Sequence, residues 1–239
     1  MNRLEKKIEQ IFSKRNSSIG FGNSSINKVN KKILLLIESD KIKNDFKDSI
    51  DGLLLTKIDI DKLEKVKGNN LIGIKYPDKI IDINEINQNN YDFVIIDNQE
   101  LSYKYLDNNL KTIYKIDEYS TDDDSDILSS FEFPVLFVEF EENFNFDYIK
   151  SYFKLSKITS KFNSNFFIKI NKILSTDKLQ LLFNLGVIGI ILDSKISTKK
   201  NISDLNKNLM GIDTEKKKVS NAPDISFNLS SSIEDEFDE

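Results

Sequence analysis

The sequence predicts an α/β fold: a single (β/α)8 barrel, in which eight parallel strands form a closed sheet and a helix follows each strand. Eight short, β-branched apolar runs recur along the chain, and polar segments of helical character separate them. The runs are continuously apolar instead of alternating, which is typical of parallel strands covered on both faces. An eightfold repeat of strand and helix is the layout of a TIM barrel. The runs lie at 32–39, 51–56, 70–77, 91–97, 110–117, 133–140, 165–171 and 187–194.

An open, doubly wound sheet is the alternative arrangement for alternating strands and helices. Such sheets usually have fewer strands and often carry a glycine-rich turn after the first one. Here the first strand continues into its helix through LLLIESDKIKN, residues 34–44, which contains no glycine. The closed barrel is therefore favoured.

The polar segments between the runs predict the helices. Ser175, Asn145 and Asp82 are candidate N-cap residues, because their side chains can accept hydrogen bonds from the free N–H groups of a first turn. Gly186 is expected to end the helix before the last strand. Helices are predicted at 41–50, 59–67, 83–90, 122–131, 146–160, 175–186 and 201–210, whereas 98–109 is predicted as a helix or as one turn and a loop.

Three segments make up the predicted domain organisation. Residues 1–31 comprise a helix with apolar positions three and four apart, followed by a Gly/Ser-rich connector. Residues 32–212 form the barrel. Residues 213–239 are polar and end in an acidic cluster. Such a segment buries too little apolar surface to offset its ordering entropy, so we expect a disordered acidic tail, either an interaction segment or a solubilising end.

The connector contains the closely spaced glycines Gly20 and Gly22. A Gly-x-Gly that precedes a strand has the wrong order for a phosphate-binding turn, which follows a strand. We expect it to turn the chain from the first helix into the first strand. Phe21 is then a candidate plug for the N-terminal end of the barrel.

Composition excludes several classes of chemistry. The 239 residues include no Cys and no His, which excludes disulfides, a Ser-His-Asp triad and zinc sites built from imidazole or thiolate. A net charge of −5 gives no reason to expect a nucleic-acid partner. No apolar stretch approaches the roughly 18–20 residues of a membrane span, and the N-terminus lacks the apolar core of a signal peptide. We expect a cytoplasmic protein with no membrane partner.

One passage resembles a known group of barrels. LQLLFNLGVIGIILDS, residues 179–194, is similar to the passage from the seventh helix to the eighth strand in small aldolase-type and phosphate-binding barrels, such as those of tryptophan and histidine biosynthesis. The resemblance implies their fold and a phosphorylated small metabolite as substrate. The turns after the seventh and eighth strands nevertheless lack the glycines on which these barrels usually hold phosphate.

The C-terminal ends of the strands are where (β/α)8 enzymes place their active sites. Carboxylates and lysines around one mouth can do acid–base work or hold Mg²⁺ without His or Cys. The alternative for each residue is a solvated loop or a helix cap. The predicted catalytic residues are Lys75, Asp97, Glu139, Lys169 and Asp193. Further strand-end candidates are Glu38, Asp40, Thr56, Lys57, Tyr76, Asn98, Lys115, Asp117, Glu141, Asn171 and Ser194.

Lys169 differs from the other lysines because FFIKIN embeds it within a strand. If it points into the barrel, desolvation could lower its pKa and make it a Schiff-base nucleophile. If it points outward, its stem lies along the helix layer and its ammonium reaches water. Alternation places Lys169 on the same face as Phe167 and Asn171, but does not identify that face.

Two classes of function are consistent with these features. The first is a small-molecule lyase or isomerase that uses strand-end carboxylates and a lysine on a ligand bound at the barrel mouth. The second is a non-catalytic barrel that acts as a scaffold or as a regulatory or interaction protein. The sequence requires no cofactor, although Mg²⁺ is compatible with the carboxylates. The oligomeric state is not predicted.

Overall fold

The computed structural model describes most of the barrel and its N-terminal helix. The connector at 14–30, the predicted helices at 59–67 and 83–90, and the residues from 214 onward lie outside the described residues, as do Tyr76, Asn98, Asp117 and Glu141. The three-segment domain division therefore stays a prediction. The described residues are 2–13, 31–40, 46, 48–57, 69–75, 91–97, 103–106, 111–116, 126–128, 130–131, 133–140, 144–162 and 164–213.

Eight strands form a closed barrel in which every neighbouring pair is parallel. β8 pairs with β1, with Leu36 opposite Ile191, so the sheet has no free edge. The predicted (β/α)8 barrel is confirmed. The strands are β1 (Leu34–Ser39), β2 (Gly52–Leu55), β3 (Leu71–Lys75), β4 (Phe93–Ile96), β5 (Thr112–Ile116), β6 (Val135–Val138), β7 (Asn165–Ile170) and β8 (Val187–Leu192).

The barrel interior is a packed apolar core. Alternate residues of each strand face inward, and alternate strands fill successive layers of such a barrel. The odd-numbered strands contribute Leu36, Gly73, Ile113 and Phe167, and the even-numbered strands contribute Leu54, Ile95, Phe137 and Ile191.

Two glycines make room for phenylalanine rings in this core. A Cβ on Gly73 would lie 2.2 Å from the Phe93 ring, and one on Gly189 would lie 2.2 Å from the Phe167 ring. The two rings meet edge to face at 6.2 Å between centroids. The interior thus alternates very large and very small residues, and each glycine leaves the space that a phenylalanine ring occupies.

Helix α1 (Arg3–Ser13) covers the N-terminal end of the barrel. Leu4 and Ile11 belong to the same apolar cluster as the barrel interior. The Arg3 guanidinium donates to the carbonyl of Asn70, just before β3, at 2.6 Å, and Lys7 Nζ donates to the carbonyl of Asp51, just before β2, at 3.1 Å. The plug of this end includes α1, whereas Phe21 lies outside the described residues.

In the described part of the chain, three further helices pack on the outside: α2 (Ile149–Thr159), α3 (Thr176–Asn184) and α4 (Lys199–Met210). Their buried leucines and isoleucines join the outer apolar cluster. Gly186 adopts φ +87°, so it ends the passage from α3 in the left-handed region that favours glycine. Within the described residues, no helix is long and apolar enough to cross a membrane.

The helix starts and the weakest predicted helix differ from the sequence-based expectations. The N-cap of α2 is Tyr148 and not Asn145, whose side chain instead accepts from the backbone N–H of Asp147 in the preceding turn. Ser175 is the N-cap of α3, but its side chain makes no capping hydrogen bond. In the weak segment at 98–109 the described residues form a short 3-10 helix, Tyr103–Leu106. Residues 126–128 and 130 are helical, within the helix predicted at 122–131.

Candidate functional site

A ring of charged side chains occupies the C-terminal mouth of the barrel. Side chains alternate between the two faces of a strand, so a residue two positions after an inward-facing residue also faces inward. In the odd-numbered strands, the residues two positions after the apolar core layer therefore point into the mouth. These residues are Glu38, Lys75, Lys115 and Lys169. Glu139 and Asp193 follow the last residues of β6 and β8. Three lysines and three carboxylates therefore meet at this mouth.

Lys75 lies at the centre of the ring. Its Nζ donates to Glu38 Oε1 at 3.1 Å and to Glu139 Oε1 at 2.8 Å. Its side chain is only 7% exposed, and Nζ also lies 5.6 Å from the centroid of the Phe137 ring below. The ammonium is therefore held between two carboxylates over an apolar floor, where electrostatic interactions are stronger than in water.

Lys169 contacts three carboxylates. Its Nζ lies 2.6 Å from Glu38 Oε2, 3.3 Å from Asp193 Oδ2 and 3.4 Å from Glu139 Oε1. These contacts show that Lys169 points into the barrel mouth, the inward orientation of the two considered from sequence. Lys115 lies at the side of the ring, with Nζ 3.6 Å from Glu139 Oε2.

The lysine and carboxylate contacts fix the protonation states. Burial acts to lower the pKa of Lys169, but the hydrogen bond and charge of Glu38, with the charges of Glu139 and Asp193, outweigh it and raise that pKa well above its ordinary value. Lys169 is thus a stable ammonium in this arrangement. This direction is opposite to the lowered pKa that a Schiff-base lysine requires.

The pKa values of two carboxylates of the ring, Glu139 and Asp193, shift in the opposite direction. Burial acts to raise the pKa of Glu139, but the hydrogen bond from Lys75 and the charges of Lys75, Lys169 and Lys115 lower it overall. Burial likewise opposes the lowered pKa of Asp193, which the backbone N–H of Lys195 and the Lys169 ammonium produce. Both groups are therefore held as anions.

Asp193 has two partners of different kinds. Its Oδ1 accepts from the backbone N–H of Lys195 at 2.8 Å and caps the 3-10 helix Ser194–Ile196. Its Oδ2 lies against Lys169 at 3.3 Å. Asp193 is therefore both a helix cap, as the alternative considered from sequence has it, and a member of the ring. One carboxylate oxygen makes the capping hydrogen bond, and the other contacts Lys169.

The structure brings together four of the five predicted catalytic residues. Lys75, Glu139, Lys169 and Asp193 belong to the ring, whereas Asp97 is exposed at the end of β4 and is not a partner in the ion pairs of the ring given above. Glu38 and Lys115 complete the ring, although sequence analysis named them only among the wider strand-end candidates. The signal that would have selected them is their spacing of two residues from Leu36 and Ile113, which face the interior.

The donor set of the ring does not form a metal site. Within the part of the chain that the structure describes, no three carboxylates are grouped so that they could hold a metal ion. Glu38, Glu139 and Asp193 instead converge on the Lys169 ammonium. No step that involves Mg²⁺ follows from these residues.

Comparison with known proteins gives the fold. No family model matches the chain, and no curated protein matches it. Among solved structures, the tryptophan synthase alpha chain from Legionella pneumophila is similar with a TM-score of 0.58 and 10% identity, covering 88% of this chain and 95% of that one. The 3-keto-L-gulonate-6-phosphate decarboxylase from Vibrio cholerae has a TM-score of 0.58 and 8% identity, covering 75% and 98%.

A third solved structure has the same architecture. The thiamine phosphate pyrophosphorylase from Pyrococcus furiosus is similar with a TM-score of 0.51 and 14% identity, covering 77% of this chain and 98% of that one. The chain resembles the aldolase-type (β/α)8 barrels. At these identities the similarity is one of fold and does not extend to the chemistry of the mouth.

Proposed function

We propose that the chain is a small-molecule lyase or isomerase that binds a carbonyl compound at the barrel mouth and stabilises its enolate with the Lys169 ammonium. The observation that carries this proposal is the convergence of three carboxylates on one inward-pointing lysine. A cation held next to carboxylate bases combines the two groups that enolate chemistry needs.

Partly buried charges of this kind need a reason to be present. Removing ions from water costs several kcal/mol per ion, and buried ion pairs often fail to recover that cost. Groups with perturbed pKa values in a cleft are therefore candidates for a functional site. The mouth also lies at the end of the barrel where enzymes of this fold work.

The proposed reaction begins when the substrate carbonyl oxygen replaces one carboxylate at Lys169 Nζ. The displaced carboxylate, Glu139 or Asp193, loses part of the interaction that lowers its pKa and becomes a better base. It removes the proton from the carbon next to the carbonyl, and the C–H electron pair forms the enolate C=C bond. Lys169 stabilises the resulting negative oxygen.

The enolate leads to either class of product without a cofactor. In an isomerase acting on an α-hydroxy carbonyl compound, the hydroxyl proton of the enediolate passes to the former carbonyl oxygen. The protonated carboxylate returns its proton to the former carbonyl carbon, and the new C=O bond forms on the carbon that carried the hydroxyl group. In a lyase, the carboxylate removes the proton of a β-hydroxyl group instead, and the electron pair of the breaking C–C bond forms the same enolate. In both cases the ammonium keeps its proton and acts through its charge.

Deuterium exchange tests this proposal. The full chain is incubated in D₂O with α-keto acids, α-hydroxy ketones and α-hydroxy aldehydes, each with and without a phosphate group, and the loss of the C–H signal is followed by NMR. We expect one class to exchange faster than in buffer. Lys169→Met should slow that exchange by about 10²–10⁴-fold, and so should either Glu139→Gln or Asp193→Asn, according to which carboxylate is the base. Asp204→Asn, an exposed carboxylate on α4, should leave it unchanged.

Two outcomes would overturn the proposal. The first is the absence of exchange above the buffer rate with every class. The second is exchange that is as fast as in the unchanged chain either in Lys169→Met or in both Glu139→Gln and Asp193→Asn. Borohydride trapping with the same compounds should give no adduct, and an adduct on Lys169 would replace the non-covalent mechanism by a Schiff base.

A non-catalytic barrel is the second candidate, and one observation favours it. Each charged group of the ring already contacts an opposite charge, so the ring can exist as a closed structural network. Such a protein would act as a scaffold or as a regulatory binding protein. A carbonyl compound that shifts the NMR signals of the charged residues of the mouth, but whose C–H group does not exchange with D₂O, would support this candidate over the enzyme.

A further inference from the structure

The outward face of α2 carries large apolar side chains. Ile149 and Phe153 are each 71% exposed, and Tyr148 next to them is 57% exposed. Ile149 and Phe153 are four residues apart, so they lie one above the other on the same side of the helix. The opposite side of α2 is buried against the barrel through Leu155 and Ile158. We refer to Tyr148, Ile149 and Phe153 with the neighbouring lysines as the α2 face.

The α2 face is also basic. The helix sequence IKSYFKLSKIT contains three lysines, Lys150, Lys154 and Lys157, and no acidic residue. All three are exposed and are spaced four and three residues apart, which forms a row beside Ile149 and Phe153. Within the described residues, Lys150 and Lys157 make no ion pair, and Lys150 Nζ lies 5.7 Å from the Tyr148 ring.

One segment of the chain has the complementary pattern. Residues 233–239, IEDEFDE, contain five acidic residues and only two apolar ones, Ile233 and Phe237. These two are four positions apart, the same spacing as Ile149 and Phe153. The segment therefore matches the α2 face in both charge and apolar spacing.

The described part of the chain ends close to α2. Asp213 is held against α3, where its backbone N–H donates to Gln180 Oε1 at 2.7 Å and its carbonyl accepts from Gln180 Nε2 at 3.1 Å. α3 in turn contacts the start of α2 through the ion pair of Lys178 with Asp147. Asp213 thus lies one helix away from the α2 face.

The intervening length of chain is sufficient to reach that face. Twenty positions separate Asp213 from Ile233. A flexible chain of that length spans about 25 Å on average, and packed helices lie about 8–10 Å apart. The segment can therefore reach α2 of its own chain without strain, at a high effective concentration.

We propose that residues 233–239 dock on the α2 face of the same chain. Ile233 and Phe237 cover Ile149 and Phe153, and the acidic side chains lie along Lys150, Lys154 and Lys157. Contacts between exposed charges are screened by salt, with a Debye length of about 10 Å at 0.1 M and about 3 Å at 1 M. The docked state is therefore favoured at low ionic strength.

Paramagnetic broadening in the full chain tests this proposal. Because the chain has no Cys, Ser232→Cys places a single nitroxide label beside the segment. We expect the label to remove most of the amide signal of α2 and to leave the α4 amides sharp. Adding Phe237→Ser should restore the α2 signals, whereas Phe227→Ser, a matched apolar change outside the acidic segment, should not.

Charge reversal on the helix gives the second arm. Lys150→Glu with Lys157→Glu should restore the α2 signals, whereas Lys199→Glu with Lys207→Glu on α4 should leave them broadened. Uniform broadening, no broadening, or broadening unaffected by Phe237→Ser would overturn the proposal. A mixture of labelled chains with isotope-enriched unlabelled chains detects docking on a second copy. Broadening of α2 in that mixture as strong as in the labelled, isotope-enriched chain would also overturn the proposal.

Discussion

The two ends of the barrel both carry charged side chains, but they use them differently. At the N-terminal end, Asp51 and Asp92 directly precede β2 and β4. The Asp51 carboxylate accepts a hydrogen bond from the backbone N–H of Leu35 in β1 at 2.9 Å, and the Asp92 carboxylate accepts one from that of Ile72 in β3 at 2.8 Å. At the mouth, the carboxylates converge on the ammonium of Lys169. One end uses its charges to hold strands together, and the other presents them to the barrel opening.

The pKa values of the carboxylates shift in opposite directions at the two ends of the barrel. Burial raises the pKa of Asp92, and the Ile72 hydrogen bond, Arg3 and Lys7 only partly oppose it. At the mouth, lysine contacts outweigh burial and lower the pKa of Glu139 and Asp193. At the mouth the fold therefore favours the anionic carboxylates, whereas at the N-terminal end it disfavours the negative charge of Asp92.

The largest effect on stability is expected at the N-terminal end. Leu4 is fully buried in the interior cluster, and Leu4→Ala leaves a cavity between α1 and the strands. We expect the free energy of unfolding, measured by urea denaturation, to fall by about 2–5 kcal/mol. Leu181→Ala on the exposed side of α3 should change it by less than about 0.5 kcal/mol. Equal losses in the two variants would contradict the plug role of α1.

The two ends of β4 provide the next comparison. Asp92→Ala leaves the buried N–H of Ile72 without its acceptor, which should cost about 1–3 kcal/mol of unfolding free energy. Asp92→Asn keeps an acceptor oxygen and should retain most of the stability. Asp97→Ala at the exposed opposite end should have almost no effect. The three unfolding curves test this ranking directly.

Lowering the pH should change the contributions of Glu139 and Asp92 to the free energy of unfolding in opposite directions. Because the folded-state pKa of Glu139 is lowered from 4.5, its contribution to stability is present above that value and is lost as pH falls through the folded pKa. The stability difference between the unchanged chain and Glu139→Gln should therefore shrink on acidification. Because the folded-state pKa of Asp92 is raised, protonation relieves a cost, and the difference from Asp92→Asn should move in favour of the unchanged chain.

Urea denaturation series from about pH 7 to about pH 3 measure both differences. Each variant serves as the control for the other, because the rest of the chain titrates equally in both. Parallel changes in the two differences would contradict the contrast between the mouth and the N-terminal end.

Much of the fold could be predicted from the sequence because continuous apolar runs are specific for buried parallel strands. The amphipathic stripe of residues 2–14 predicted a helix, but not that the helix covers the N-terminal end, since periodicity gives the apolar face and not its partner. Asn145 was a plausible N-cap by residue type, but α2 begins only after the turn that follows it.

The candidate site could be predicted only in part. Strand ends gave Lys75, Glu139, Lys169 and Asp193, whereas the inward face of β7 became known only from its neighbours. Asp97 directly follows β4 just as Glu139 directly follows β6, yet Asp97 is exposed and lies outside the ring, a difference that strand position alone does not predict. The raised pKa of Lys169 depends on three carboxylates from three different strands or strand ends, and no local pattern contains that information.

The smallest expected change tests most directly the claim that the buried Glu38–Lys75 pair of the mouth serves chemistry and is not required for stability. Glu38→Leu with Lys75→Met replaces a buried ion pair by apolar side chains of similar size. We expect the free energy of unfolding at neutral pH to stay within about 1 kcal/mol of the unchanged chain or to rise. Lys75→Met alone, which removes the cation between Glu38 and Glu139, should be less stable than the double variant. A loss of several kcal/mol in the double variant would contradict the claim and make the ring a stabilising element of the barrel.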